Sequence, residues 1–147
     1  MSDFMDLAFA EARAAASRGE VPVGAVVVRD GAVLAAAGNR TEELHDPTAH
    51  AELLALRAAG AALGSPRLEG CDLYVTLEPC PMCAAAISFA RIRRVYFGAY
   101  DPKGGGVEHG PRVYAHPTCH HRPEVYGGLR ETEAAAMLRA FFAERRS

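Results

Sequence analysis

Two short motifs near the middle of the chain contain residue types that bind metals and move protons. They are His50-x-Glu52 and, about thirty residues later, Pro79-Cys80-x-x-Cys83. At this composition a His-x-Glu pattern arises by chance about 0.5 times per chain, whereas a Pro-Cys-x-x-Cys pattern arises less than about 0.01 times. The second motif is therefore the specific one, and the first gains its weight from being paired with it.

One imidazole and two thiolates are three ligands of the kind that tetrahedral zinc prefers in proteins. A catalytic zinc site leaves its fourth position to water, and the metal lowers the pKa of that water to about 7. Glu52 is two residues from His50, which is about 200° around a helix, so it is predicted to lie near the metal without ligating it. A carboxylate in that place can act as a general base and then as a general acid.

The elements that must position these residues are two helix starts. We expect Cys80 at the N-cap of a helix that runs to about residue 90, where the positive end of the helix dipole favours thiolates. Asp46 as N-cap and Pro47 at the first helical position predict a second helix to about residue 62, with His50 in its first turn. Helix starts that follow strands should meet at one edge of a sheet, where α/β proteins bind ligands.

Two other interpretations of the cysteines remain open at this point. A closed structural zinc site would take a fourth ligand from elsewhere in the chain and would leave Glu52 without a task. The candidates for that ligand are Cys71, His116, Cys119, His120 and His121. A redox Cys-x-x-Cys would leave the His-x-Glu motif without a task. The cluster from His116 to His121 fits no zinc spacing and is interpreted as a Pro-flanked loop with incidental histidines and cysteine.

Hydropathy patterning predicts one α/β domain over residues 1–147. Helices are expected at 3–18 and 131–145 and strands at 23–28, 32–37, 72–77, 93–98 and 124–126, in addition to the two helices above. Alternating helices and strands indicate a central sheet with helices on both faces. Residues 101–129 are rich in glycine and proline, and Gly104 to Gly106 are predicted to be a flexible loop.

Composition sets weaker limits. The chain has 147 residues, 50% of them hydrophobic, and a net charge of -2, which favours a folded core over disorder and offers no bulk argument for a nucleic-acid partner. The first 90 residues hold 6 basic and 12 acidic side chains, and the remaining 57 hold 10 and 6. Such asymmetry hints at an anionic partner. No signal peptide or membrane span is predicted, so we expect a cytoplasmic protein without membrane contact.

The order His-x-Glu and then Pro-Cys-x-x-Cys resembles the signature of zinc-dependent cytidine and adenosine deaminases. The segments 21–25, 39–40, 45–52 and 74–80 closely resemble bacterial tRNA-specific adenosine deaminases. The resemblance runs from about residue 3 to 101, resumes over the last helix and is weakest between 104 and 128. It implies a three-layer α/β/α cytidine-deaminase-like fold with a mixed five-stranded sheet, one Zn²⁺ per chain and a homodimer.

The resemblance also implies roles for individual residues. His50, Cys80 and Cys83 match the zinc ligands, and Glu52 matches the proton shuttle. The positions that match substrate-binding residues of the family are Val23, Asn39, Ala51, Pro79, Asp101, Phe142, Arg145 and Arg146. Val23 and Asn39 would meet the flipped-out nucleoside, Ala51 and Pro79 the reacting base, Asp101 the ribose-phosphate backbone, and the last three the anticodon loop.

The function implied is hydrolytic deamination of adenosine to inosine at the wobble position of a tRNA, with the anticodon stem-loop as partner. The alternative is the same chemistry on a free base or nucleoside such as guanine, cytosine or adenosine. In guanine-specific relatives the residues before Pro-Cys differ from the Thr76-Leu77-Glu78 of this chain, which favours RNA. A catalytically idle zinc-binding subunit is a third possibility, and the presence of Glu52 argues against it.

Overall fold

The computed structural model describes residues 3–146, and for Arg146 it describes the main chain only. Over this range the chain forms a five-stranded sheet, four α-helices and one short 3₁₀ helix. The strands are β1 (Gly24–Arg29), β2 (Ala32–Gly38), β3 (Cys71–Leu77), β4 (Arg94–Ala99) and β5 (Glu124–Tyr126). The helices are α1 (Phe4–Ser17), α2 (Ala51–Leu63), α3 (Pro81–Ala90) and α4 (Glu131–Arg146), with the 3₁₀ turn at Val113–Ala115.

The sheet is mixed, as expected. Its strand order is β2-β1-β3-β4-β5, and β1 runs antiparallel to both of its neighbours. The strands β3, β4 and β5 are parallel to one another. Because the carboxyl ends of β3 and β4 lie at the same edge, the residues that follow Leu77 and Ala99 are brought together there.

Helices cover both faces of the sheet, which confirms the predicted layers. Successive side chains of a strand point to opposite faces. On β1, Val27 packs in one cluster with Ala55 of α2 and Ile87 of α3. Val26 packs in a second cluster with Phe9 of α1 and with α4 residue Ala134 (the two clusters lie on opposite sides of the sheet). None of the helices within residues 3–146 is long and apolar enough to cross a membrane.

The predicted start of α2 was wrong. The helix begins at Ala51 with His50 as its N-cap, and not at Asp46 and Pro47. Asp46 instead closes a local turn, because its Oδ1 accepts hydrogen bonds from the N–H and the hydroxyl of Thr48. The first N–H of the helix is satisfied from outside, since Ala51 donates to Oδ1 of Asn39 over 2.8 Å. A contact across twelve residues thus decides where the helix starts.

The flexible loop predicted at Gly104 to Gly106 is also different in the structure. Gly105 and Gly106 are buried. The N–H of Gly106 donates to the carbonyl of Pro79 over 2.8 Å, and its own carbonyl accepts from Val113 over 2.8 Å. Backbone hydrogen bonds of this kind hold the segment against the start of α3. The glycines are present because this approach is too close for a side chain.

Candidate zinc and substrate site

Two helix starts converge at the carboxyl edge of the sheet and bring three ligating side chains together. His50 caps α2 and Cys80 caps α3, and neither side chain makes a capping hydrogen bond. Both are therefore free to point towards a common centre. Cys83 lies one turn into α3. The Nδ1 atom of His50 is 3.6 Å from the sulfur of Cys80 and 3.5 Å from that of Cys83.

These distances fit a zinc ion. With Zn–N bonds of about 2.0 Å and Zn–S bonds of about 2.3 Å, tetrahedral geometry places neighbouring nitrogen and sulfur ligands about 3.5 Å apart. All three ligand atoms lie within 4.8 Å of one another, and no other His, Cys, Asp or Glu of the described residues joins the group. The donor set is therefore that of a three-ligand site, which leaves one position of a tetrahedron for water or substrate.

The charges in the site also suit a divalent cation. Hydrogen bonds from Cys83 and His50 lower the pKa of Cys80 to about 4, so this sulfur is a thiolate at neutral pH. The hydrogen bond to Cys80 in turn raises the pKa of His50. A thiolate is the form of cysteine that binds metals. The site thus already contains negative charge where a metal would lie.

Glu52 is buried beside the three ligands without being one of them. Its residue is 4% exposed. Burial raises the pKa of its carboxyl to about 7, and the neighbouring Cys80 adds to this rise. A carboxyl that titrates near neutral pH can both accept and return a proton, which is what general acid–base catalysis requires.

A cavity of about 300 Å³ opens onto these groups. It is lined by Val21, Val23, Asn39, Thr41, His50, Glu52, Leu77, Glu78, Cys80, Asp101 and Gly104. Val23, Asn39 and Asp101, which were predicted to bind substrate, thus line the same cavity as His50 and Cys80, whereas Cys83 is fully buried beside them. Because the oxygen of Asn39 is engaged by Ala51, its amide nitrogen is the group that can donate to a ligand. Ala51 and Pro79, which were also predicted to bind substrate, are buried and do not line the cavity, although each is adjacent in sequence to a lining residue, His50 or Cys80.

A family model for the cytidine and deoxycytidylate deaminase zinc-binding region matches residues 1–99. The chain belongs to this deaminase family. It is a zinc-dependent hydrolytic enzyme, and the predicted α/β/α deaminase fold is confirmed.

Individual relatives show which members of the family this chain resembles. The deaminase is 65% identical over 143 residues to the tRNA-specific adenosine deaminase of Agrobacterium fabrum. The matched region covers 97% of this chain and 94% of the relative. A solved structure from studies of A-to-I editing by tRNA:A34 deaminases matches with a TM-score of 0.90 at 65% identity, covering 92% of this chain and 98% of the other. The guanine deaminase of Bacillus subtilis matches with a TM-score of 0.67 at 33% identity, covering 100% and 96%.

Phe142 and Arg145, two of the three residues predicted to hold RNA from the end of the chain, do not line the cavity of the deaminase. Phe142 is 43% exposed on α4. Arg145 is exposed, and its guanidinium lies 4.1 Å from the centre of the Phe141 ring. Arg145 lines a separate groove between the ends of α1 and α4, and the side chain of Arg146 is outside the described part of the chain. Arg145 also approaches Gly19, two residues before the cavity residue Val21.

Five cavity residues of the deaminase had no predicted role in the site, namely Val21, Thr41, Leu77, Glu78 and Gly104. Glu78 is the most informative of them, because its side chain is fully buried and accepts several hydrogen bonds. Burial by itself would raise the pKa of Glu78, but the hydrogen bonds outweigh burial and lower it. An acidic residue directly before the Pro-Cys motif was the signal in the sequence that could have identified it.

The second group of histidines and cysteine is used differently in the deaminase. Nε2 of His116 donates to the carbonyl of Pro111 over 2.6 Å, and Nε2 of His121 donates to that of Ile92 over 2.9 Å. The sulfur of Cys119 donates to the carbonyl of His121. These side chains fasten the loop to the main chain, which agrees with the interpretation of this segment as a loop.

Proposed function

We propose that this deaminase converts adenosine to inosine in tRNA, at the wobble position of the anticodon, by hydrolysis. The observation that carries the proposal is that Glu52 lines one cavity together with His50 and Cys80 of the His50, Cys80 and Cys83 cluster, in a chain 65% identical to a tRNA-specific adenosine deaminase. Residues 1–147 act as one deaminase domain in the cytoplasm, where tRNA is found.

In this proposal His50, Cys80 and Cys83 hold one Zn²⁺ per chain. When bound, the metal supplies a water molecule whose pKa is lowered to about 7. The positive helix ends behind His50 and Cys80 stabilise the thiolates. Three ligands from two helix starts hold the site in place before the substrate arrives.

Glu52 carries the proton. Its carboxylate accepts a proton from the water and delivers it to ring nitrogen 1 of adenine while the oxygen adds to carbon 6. The same carboxyl then takes a proton from the added hydroxyl and passes it to the amino group, which leaves as ammonia. One adenosine and one water thus give one inosine and one ammonia, and Glu52 ends ionised as it began. A pKa near 7 suits a group that is protonated and deprotonated twice per turnover.

The cavity takes a single base removed from its stack. Anticodon-loop bases are unpaired and can be turned out into a pocket at small cost. Val23 packs against the base, the Asn39 amide donates a hydrogen bond to the nucleoside, and Asp101 contacts the ribose-phosphate backbone. The main chain at Ala51 and Pro79 borders the reacting edge of the base.

The end of α4 extends this RNA contact beyond the cavity. Phe142, Arg145 and Arg146 hold the anticodon loop in the proposal, and the exposure of Phe142 and Arg145 leaves them accessible. Replacing both arginines by alanine should weaken RNA binding and make it less sensitive to salt, since each phosphate contact releases counterions. Unchanged affinity and salt dependence in a filter-binding assay would contradict this part of the proposal.

The enzyme is proposed to act as a homodimer. An apolar groove of about 670 Å³ lies between α2 and α3, and Phe89 beside it is 67% exposed. A second copy that packs on this groove would bury the ring. Phe89→Glu should shift the mass measured by light scattering from dimer to monomer, whereas Leu7→Glu, at an exposed position of α1, should not. If the wild-type enzyme is a monomer, the proposed homodimer is contradicted, but the proposed reaction is not.

The function is tested by measuring ammonia release with four substrates. The zinc-loaded enzyme is given a tRNA with adenosine at the wobble position, free adenosine, guanine or cytosine. We expect rapid release from the tRNA only, with inosine found at the wobble position. The fold shared with a guanine deaminase makes free guanine the main alternative. Release from guanine without release from tRNA would overturn the proposal.

A further inference from the structure

Glu78 joins two parts of the cavity wall that are distant in sequence. It follows β3 directly and precedes the Cys80 that caps α3. Its Oε2 accepts hydrogen bonds from the N–H groups of Val107, Glu108 and His109, at 3.1, 2.9 and 3.1 Å. Its Oε1 accepts from the N–H of Asp101 at 3.0 Å and lies 2.9 Å from Nδ1 of His109.

The carboxylate of Glu78 depends on these partners because it has no contact with solvent. Its side chain is 0% exposed. A buried carboxylate costs several kcal/mol unless its lone pairs are satisfied, and here five donors satisfy them. The negative charge of Glu78 is therefore stabilised by hydrogen bonds from the folded segment 101–109. Conversely, four main-chain N–H groups of that segment depend on this one side chain.

The segment held in this way forms a wall of the substrate cavity. Asp101 and Gly104 line the cavity on one side, and Cys80 lines it on the other. Close packing completes the junction, since a Cβ on Gly106 would lie 2.6 Å from the Cα of Pro81. Gly105 faces the Glu78 carboxylate, and a Cβ there would also lie 2.6 Å from the carbonyl oxygen of Asp101. No side chain fits between the carboxylate and the segment.

We infer that Glu78 is a positioning residue, which fixes the Asp101 wall of the cavity relative to the helix start that carries Cys80 and so sets how substrate is held. The inference rests on the proposed function for its substrate, but the junction itself is a property of the fold. The inference assigns Glu78 no part in proton transfer. Its removal should therefore impair the binding of substrate more than the chemical step.

Glu78→Gln tests this with little change in shape. The amide oxygen can still accept from the three N–H groups at Oε2. The NH₂ group then faces the N–H of Asp101, which loses its acceptor, so that end of the segment is released even if Nδ1 of His109 accepts from the NH₂ group. We expect KM for the tRNA to rise by about tenfold with kcat retained within about twofold, because displacements near 1 Å cost up to about 100-fold in kcat/KM. Zinc content should stay at one per chain.

Asp72→Asn is the matched control. Asp72 is also a buried carboxylate, at the opposite end of β3, where it binds Arg93 through two hydrogen bonds of 3.0 and 2.9 Å. Its loss should lower the melting temperature without changing KM, because it does not line the cavity. A rise in KM that follows mere loss of stability would appear in both variants.

Gly105→Ala disturbs the same junction by changing the segment and not the carboxylate. It provides a second test if Glu78→Gln does not fold. The added methyl group cannot fit against Asp101 and Glu78, so the segment must move although the carboxylate is intact. We expect the same rise in KM. Hydrogen exchange of residues 101–109, measured on each holoenzyme, should show faster exchange in this variant and in Glu78→Gln, and wild-type rates there in Asp72→Asn.

Exchange and kinetics together decide between the outcomes. Faster exchange with raised KM and retained kcat supports the inference. Exchange at the wild-type rate in both junction variants overturns it, as does faster exchange with unchanged KM. If the wild-type enzyme fails to deaminate tRNA, the proposed function fails instead, and exchange in the segment still tests the junction. Loss of kcat with unchanged KM would also overturn the inference by placing Glu78 in the chemical step.

Discussion

Two regions of the molecule contain histidine and cysteine side chains, yet only one of them brings such side chains together as a possible metal site. At the carboxyl edge of the sheet His50, Cys80 and Cys83 bring their ligand atoms within 4.8 Å of one another. In the segment after β4, His116 and His121 each donate to a main-chain carbonyl. The difference is whether the main-chain N–H and carbonyl groups around each side chain already have hydrogen-bond partners.

At the helix starts, the backbone needs nothing from these side chains. The first N–H of α2 is satisfied by Asn39, and neither His50 nor Cys80 makes a capping hydrogen bond. The segment 111–121 lies outside the helix and strand ladders apart from one 3₁₀ turn, so its carbonyls and those nearby need donors. Side chains that satisfy such carbonyls are fixed apart from one another. Residue type therefore predicts a metal site only where regular structure leaves the side chains free.

The largest effect expected from this contrast is loss of the metal. Cys80→Ala removes one of three ligands, and we expect zinc content to fall from about one per chain to near zero, with loss of activity. Removing only the outer partners of ligands commonly costs about 10- to 100-fold in affinity, and a ligand costs more. Plasma emission spectrometry on dialysed protein measures this. Retention of zinc in Cys80→Ala but not in Cys119→Ala would reverse the assignment of the two regions.

The next largest effect separates catalysis from metal binding within the first region. Glu52→Gln keeps the size of the side chain but cannot accept and return a proton. We expect kcat to fall by about 10²- to 10⁴-fold, the usual contribution of a general acid–base, while zinc stays at one per chain. Single-turnover inosine formation and zinc analysis of the same sample check it. Normal turnover would exclude Glu52 as the proton carrier.

A smaller effect is expected from the second region, on stability alone. His121→Ala leaves the carbonyl of the buried Ile92 without its donor, which costs about 1–3 kcal/mol of unfolding free energy. Zinc content and kcat should not change. Urea denaturation of the zinc-loaded protein gives the free energy, and an accompanying loss of metal would mean that this region also supports the site.

The smallest effect is expected at His116. Its side chain is exposed, although it donates to the Pro111 carbonyl. His116→Ala should change the free energy of unfolding by no more than about 0.5 kcal/mol, as is usual at exposed positions. It should leave zinc content unchanged. The same denaturation experiment, run beside His121→Ala, checks whether the more buried histidine contributes more to the free energy of unfolding.

The sequence predicted the ligand site better than it predicted what surrounds the site. Alternating hydrophobicity placed the strands to within about a residue or two, and the Pro-Cys motif placed the start of α3. The start of α2 was missed because Asp46 and Pro47 are strong local signals, whereas the contact from Asn39 is not local. The role of Glu78 was missed for the same reason, since its partners lie 23 to 31 residues further along. Pairings of that kind have no periodicity that a sequence could reveal.

X-ray absorption at the zinc edge tests the central claim most directly, namely that three side chains hold the metal and leave one position open. On the substrate-free holoenzyme it should show two sulfur neighbours at about 2.3 Å and two nitrogen or oxygen neighbours at about 2.0 Å. One of the lighter neighbours is the imidazole of His50, and the other should exchange with added azide. A third sulfur, or a light neighbour that azide never displaces, would indicate a closed structural site and contradict the account.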